Sequence, residues 1–129
     1  MQTDNRPLSP HLQVYRMTDF TSLMSILHRI TGVCTLISLF ILTGWLMMAA
    51  GGVDSYASAN HFLANPFIVL VMFMGSGALI YHFCNGIRHL LWDFGYNLEL
   101  HQARKSGRIV AISAISVNLI FWIILSFSL

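Results

Sequence analysis

The sequence predicts an all-α integral membrane protein whose chain crosses the bilayer three times. Of its 129 residues, 56% are apolar or aromatic and 9% are charged. Its mean hydropathy is +0.67. Three uncharged runs, 30–50, 66–87 and 109–129, are each long enough to cross a hydrocarbon core about 30 Å thick as a helix. A soluble domain carries about 25% charged residues. Seven Lys and Arg with five Asp and Glu are too few to coat a water-soluble globule. That excludes a cytosolic enzyme, a nucleic-acid binder and a disordered tail.

Each element follows in order. An N-terminal arm, 1–20, is polar and proline-punctuated. It has no apolar core behind a basic start and no long Arg- and Ser-rich stretch, so neither a secretory signal nor an import presequence is expected. The first helix is expected over about 21–50, with Thr18 or Asp19 as its cap. Residues 51–65 read as a connection: Gly51-Gly52, Asp54 and Asn65-Pro66 are turn and helix-start signals, and no Lys or Arg falls there. A second helix is expected over about 62–93 and a third over about 107–129, joined by a polar segment, so that 1–129 forms one transmembrane domain.

Arg6, Arg16 and Arg29 precede or open the first span, and Arg88, Arg104, Lys105 and Arg108 lie between the second and third. All seven cations therefore fall on one side, which the positive-inside rule makes the cytoplasm or the mitochondrial matrix. The N-terminus is expected on that side. The missing presequence favours a bacterial inner membrane, with a mitochondrial inner membrane as the alternative. Cys34 and Cys84 sit in apolar runs and read as packing residues. Trp45, Trp92 and Tyr96 suit the interfacial belt, and the methionines of the first two spans suit lipid or packing contacts. Three helices are few for enclosing a transport path, so a heteromeric partner is expected.

An ionisable group within a bilayer needs a reason. His82 lies six residues before Arg88 in GSGALIYHFCNGIRH, about 9 Å inside the boundary. Gly75, Ala78, Gly86 and His89 project within about 40° of it, with Asn85 slightly farther round. Small neighbours fit a closely packed helix, and they equally fit a flat macrocycle against an axial imidazole. Two readings stand side by side: a histidine hydrogen-bonded to a neighbouring helix, or a haem b ligand. No second histidine lies at matching depth in this chain, so a partner subunit would supply the other axial ligand.

Ser25 and Arg29, in SILHR, are four apart and share a helix face. A hydroxyl and a permanent cation suit a carbonyl oxygen that gains negative charge, as in a quinone head group on its way to quinol. Arg29 as a snorkelling interface anchor is the alternative. His28, His89 and Arg88 lie at the inner edge, where haem propionates would point; a solvated basic rim is the alternative. Asp93 follows His89 by one turn and could orient it or relay protons, or pair with a loop arginine. His11, His61 and His101 carry no functional case.

RPLSPHLQVYR, SILHRITG and YHFCNGIRHLLWDFGY, in that order and with three spans, closely resemble the cytochrome b membrane-anchor subunits of succinate dehydrogenase, respiratory complex II. The resemblance covers nearly the whole chain. It implies a three-helix anchor paired with a second hydrophobic anchor subunit, beneath an iron-sulfur subunit and a flavoprotein that carry the iron-sulfur clusters and FAD. It further implies that Ser25 and Arg29 line the ubiquinone pocket and that His82 is an axial ligand of haem b shared with the partner anchor. His28, Arg29 and His89 would lie near the propionates, and Asp93 matches the acidic residue after the RH pair. The chain alone would catalyse nothing and would act as a subunit of succinate:ubiquinone oxidoreductase in the citric acid cycle and electron transport. The RPLSPHLQVYR arm is expected to lie against the iron-sulfur subunit. A haem-free tether, a small transporter subunit and a menaquinone-linked fumarate reductase anchor are the competing readings.

Overall fold

The computed structural model describes residues 16–128. Arg6, His11 and most of the RPLSPHLQVYR arm lie outside the described residues. Four helices follow one another: α1 (Phe20–Ala49), α2 (Val53–Leu63), α3 (Pro66–Asp93) and α4 (Leu100–Ser128). α1, α3 and α4 are long and apolar enough to cross a membrane. At about 1.5 Å per residue each exceeds the hydrocarbon thickness by several turns. The surplus on the cation-rich side carries the polar residues.

Local chemistry sets the ends. Asp19 occupies the N-cap position of α1, but its carboxylate makes no cap bond to the helix. It takes the Thr21 hydroxyl at 2.8 Å and Arg104 of α4 at 2.9 Å. These two donors hold the Asp19 carboxyl below its ordinary pKa, the Thr21 hydrogen bond contributing most. α1 stops at Gly51-Gly52, where Gly52 adopts φ 102°, a conformation that suits glycine alone. α3 starts where Asn65 Oδ1 accepts from the Phe67 N–H at 2.9 Å and Pro66 fills the first turn. After Asp93 the chain turns through Gly95 at φ 82° and Asn97 at φ 59°, with the Trp92 indole donating to the Asn97 carbonyl at 3.1 Å.

Two boundaries differ from expectation. The connection 51–65 contains the short helix α2, with Asp54 in its first turn and His61 in its last, and the second span begins at Pro66 rather than near 62. The third long helix begins at Leu100, a full two turns earlier than the hydropathy suggests, because 100–108 is helical despite its charges.

α3 packs along both α1 and α4, which touch each other only over a short stretch. Close approach depends on glycines facing side chains. A methyl group on Gly75 would collide with Ser38 of α1, and one on Gly107 would fall 2.8 Å from Phe20 and nearer still to Met24. The interior is small and partly polar: Met24, Val110 and Ala114 are buried beside Asn85, Arg88 and Asn118. Large apolar side chains face outward instead, with Phe40 70% and Met47 72% exposed, as expected where the surrounding solvent is hydrocarbon. In the half remote from the cations, Ser76 donates to Asn118 Oδ1 at 2.7 Å, Asn118 Nδ2 reaches the Phe73 carbonyl at 3.4 Å, and the Trp122 indole donates to Ser76 at 2.9 Å. Asn118 thus links α3 to α4. Cys34 and Cys84 are free thiols.

Candidate functional site

Ser25, His28, Arg29 and Gly32 follow at helical spacing and form one stripe on the cation-rich half of α1. His82 and His89 of α3 come up against that stripe. The rings of His28 and His82 stack with centroids 4.0 Å apart and planes 7° from parallel, and the His89 ring lies 5.0 Å from His28. The Tyr81 hydroxyl donates to the Met24 carbonyl at 3.0 Å, which ties α3 to α1 one residue before Ser25.

The tautomer of His82 follows from its partners. Its Nδ1 lies 3.0 Å from the His28 carbonyl oxygen and 3.5 Å from Thr31 Oγ1. A carbonyl only accepts, and the Thr31 hydroxyl proton is engaged with the carbonyls of Leu27 and His28 at 2.8 and 3.0 Å. Nδ1 therefore carries the proton and donates to His28, which leaves the Nε2 lone pair available. This is the arrangement that fixes a metal-binding imidazole, with one nitrogen tied to backbone and the other presented.

Gly32, which sequence reasoning did not single out, provides the room. A Cβ there would sit 3.0 Å from His82 Cε1 and 3.5 Å from Nδ1. On α3 itself the small residues divide: Gly75 is used up against Ser38, whereas a Cβ on Gly86 would meet nothing within 4 Å. The open space beside His82 is thus on the Gly86 side. The signal for Gly32 was present in SILHRITG, seven residues after Ser25, but its opposite number on another helix could not be read from the chain.

Ser25 is half-buried and Arg29 exposed, on the same face. The His28 Nδ1 is buried without a hydrogen-bond partner among the described residues. His89 Nε2 faces the Asn85 amide nitrogen at 3.4 Å rather than Asp93, and Asp93 is exposed at the end of α3. Arg88 corrects an expectation. It is 4% exposed, and its donors reach Ser106, Asn85 and the Ala103 carbonyl, so it does not belong to a solvated rim. α4 supplies these partners across the interface.

Three helices long and apolar enough to cross a membrane, cations gathered at one end and a histidine with a presented lone pair below that end define a transmembrane subunit whose polar chemistry is gathered toward one face. Residues 2–125 match the model of the succinate dehydrogenase/fumarate reductase transmembrane subunit family, and the chain belongs to that family. It is 35% identical over 120 residues, 93% of either chain, to the succinate dehydrogenase cytochrome b556 subunit of Rickettsia felis. Against the cytochrome b556 subunit of Paracoccus denitrificans it is 39% identical over 104 residues, 81% of this chain and 79% of that one. The cytochrome b560 subunit of Marchantia polymorpha is 41% identical over 115 residues, 85% of this chain and 83% of that one. Enzymatic activity therefore belongs to the complex that such a subunit joins.

Proposed function

We propose that this chain is the cytochrome b anchor of a succinate:ubiquinone oxidoreductase, holding haem b with His82 and forming part of the ubiquinone-reduction site with Ser25 and Arg29. The observation that carries the reading is the His82 Nδ1–H donating to the His28 carbonyl at 3.0 Å, which presents Nε2 for iron. The residues fit the group: Gly32 lets the imidazole edge lie close against α1, Gly86 leaves the space on its own side open, and the orphaned His28 Nδ1 suits a propionate oxygen. A second ligand to the iron would come from a second anchor subunit, since the one other histidine ring at that depth among the described residues, His28, is stacked parallel on His82 and lies on the same side of any group that His82 Nε2 would bind.

Bound haem supplies a one-electron store beside the quinone site. This chain's residues do the rest. His28 and Thr31 hold the His82 ring by its Nδ1 proton. Arg29 offers a fixed positive charge to a quinone oxygen as negative charge develops there, and the Ser25 hydroxyl hydrogen-bonds the same oxygen and passes a proton to it. His89 stands beside His28 at the inner edge, and Asp93, one turn further toward the aqueous phase, suits proton entry. Succinate is oxidised on the flavoprotein, and its electrons arrive through the iron-sulfur subunit that docks on the cation-rich face. That face is cytoplasmic in a bacterial inner membrane, with the N-terminus on the same side.

The test is a dithionite-reduced minus oxidised spectrum of the purified complex, wild type beside His82→Leu, with quinone reductase activity measured on both. Loss of the b-type signal in the variant assigns the ligand. A haem-loaded variant with an unchanged spectrum removes His82 from the site.

A further inference from the structure

Among the described residues Arg88 has four polar or aromatic contacts and none with an anion. Its Nε donates to Ser106 Oγ at 3.1 Å, Nη1 to Asn85 Oδ1 at 3.3 Å and Nη2 to the Ala103 carbonyl at 2.9 Å, while the guanidinium carbon lies 4.0 Å from the centre of the Trp92 ring. Among the described residues the ion pair formed is Arg104 with Asp19, and no carboxylate lies within ion-pair distance of Arg88. A guanidinium keeps its proton under any condition the protein meets. The α3–α4 interface therefore contains a fixed positive charge, buried by this chain's own helices and uncompensated among the described residues.

Burying a charge without a counter-charge is costly. A neutral glutamine could hydrogen-bond the same carbonyl and hydroxyl, so joining the helices does not by itself call for arginine. What a neutral residue cannot provide is the charge. Polar and aromatic contacts run from it toward His82. Asn85 is fully buried and receives Nη1 on its oxygen, its amide nitrogen faces His89, His89 leans on His28, and His28 stacks on His82. Arg88 follows His82 by six residues on the same helix, about 9 Å along the axis.

The geometry points to a specific role: Arg88 raises the reduction potential of the haem held by His82, acting as a buried charge and not as a ligand. This rests on the haem reading above. Reduction adds one electron at the iron and no proton or bond at Arg88, so the local charge falls by one unit. A nearby fixed cation stabilises the reduced form relative to the oxidised one. Asn85 and Ser106 position the guanidinium.

The experiment is an equilibrium redox titration of the purified holo-complex with mediators, followed at the reduced haem band, on wild type, Arg88→Lys, Arg88→Gln and Asn85→Asp. Lys keeps the charge and loses the forked hydrogen bonds; Gln does the reverse. Asn85→Asp leaves Arg88 in place and cancels its charge where Nη1 now meets the amide oxygen. At an effective dielectric constant of about 20, the axial rise of about 9 Å is the least separation of charge and haem site, so losing the charge lowers the reduced-to-oxidised ratio at fixed ambient potential by up to about 20-fold, a fall of up to about 80 mV for one electron. The expected result is a fall of that order in Arg88→Gln and Asn85→Asp and a near-native value in Arg88→Lys. A native potential in Asn85→Asp overturns the proposal, and this variant decides the matter if Arg88→Gln fails to assemble. A fall in Arg88→Lys as large as in Arg88→Gln also overturns it, since packing and not charge would then be responsible. Absence of haem from the wild-type complex would instead refute the haem reading.

Discussion

Replacing Gly32 with alanine separates haem binding from helix stability, because the two respond in opposite directions. An alanine in a helix interior is favoured over glycine by about 0.5 to 1 kcal/mol, so α1 itself should gain. The new Cβ, however, falls 3.0 Å from His82 Cε1, about 0.5 Å inside a comfortable carbon contact. The ring cannot slide away freely. Its Nδ1 is tied to the His28 carbonyl at 3.0 Å, and its face is stacked on His28 at 4.0 Å. Overpacking at a site so constrained costs about 1 to 3 kcal/mol, which corresponds to haem retained about 5- to 150-fold less tightly. The assay is the haem-to-protein ratio of the purified complex by its pyridine adduct spectrum, alongside thermal unfolding. Gly44→Ala, where a Cβ meets nothing within 4 Å, serves as the control and should keep full haem. The expected signature is reduced haem in Gly32→Ala beside full haem in Gly44→Ala, with a thermal stability of Gly32→Ala that falls by less than the overpacking cost because the helix gain offsets part of it. Full haem with a native spectrum in Gly32→Ala would refute the inference that this glycine makes room for the ligand.

Three further outcomes follow from the same geometry. Arg29→Ala should lower quinone reduction about 100- to 1000-fold, the loss typical of a donor aimed at developing negative charge, while the haem spectrum stays native; undiminished turnover would return Arg29 to an interface anchor. Asn118→Ala and Ser76→Ala should each destabilise the complex by about 1 kcal/mol, and thermal unfolding of the double variant should show less than the summed loss because both break one cluster. Asp19, whose carboxyl is held below its usual range first by the Thr21 hydroxyl and then by Arg104, stabilises the fold at pH values above its unfolded pKa. That contribution is lost as pH falls through the lowered folded pKa. Stability against pH should therefore separate wild type from Asp19→Asn at neutral pH and converge in acid. The separation should narrow in high salt, because the Arg104 partner is exposed to solvent.

Hydropathy and charge placement made the three spans and their common polar end legible, because the cost of burying a charge in hydrocarbon acts on each residue whatever its neighbours. Periodicity within one helix likewise joined Ser25 to Arg29 and set small residues beside His82. The helix α2 was missed because its eleven residues mix polar and apolar side chains, are too few to span a membrane, and are bounded by Gly51-Gly52 and Asn65-Pro66, the same signals that mark a loop. The early start of α4 was missed because hydropathy reports where a helix enters hydrocarbon, not where its hydrogen bonds begin.

What lies across an interface was decided only by tertiary packing. Gly75 and Gly86 both share a face with His82, yet one is filled by Ser38 and the other is open. Gly32 faces His82 from a different helix fifty residues away in sequence. Arg88 looked like a member of a basic rim because it begins the polar segment, and it turns inward because α4 brings Ser106 and the Ala103 carbonyl to it. A sequence states the reach and chemistry of each side chain and the face it occupies on its own helix. Which groups meet depends on the rotation and depth at which α1, α3 and α4 settle against one another, and those are set by many weak contacts acting together.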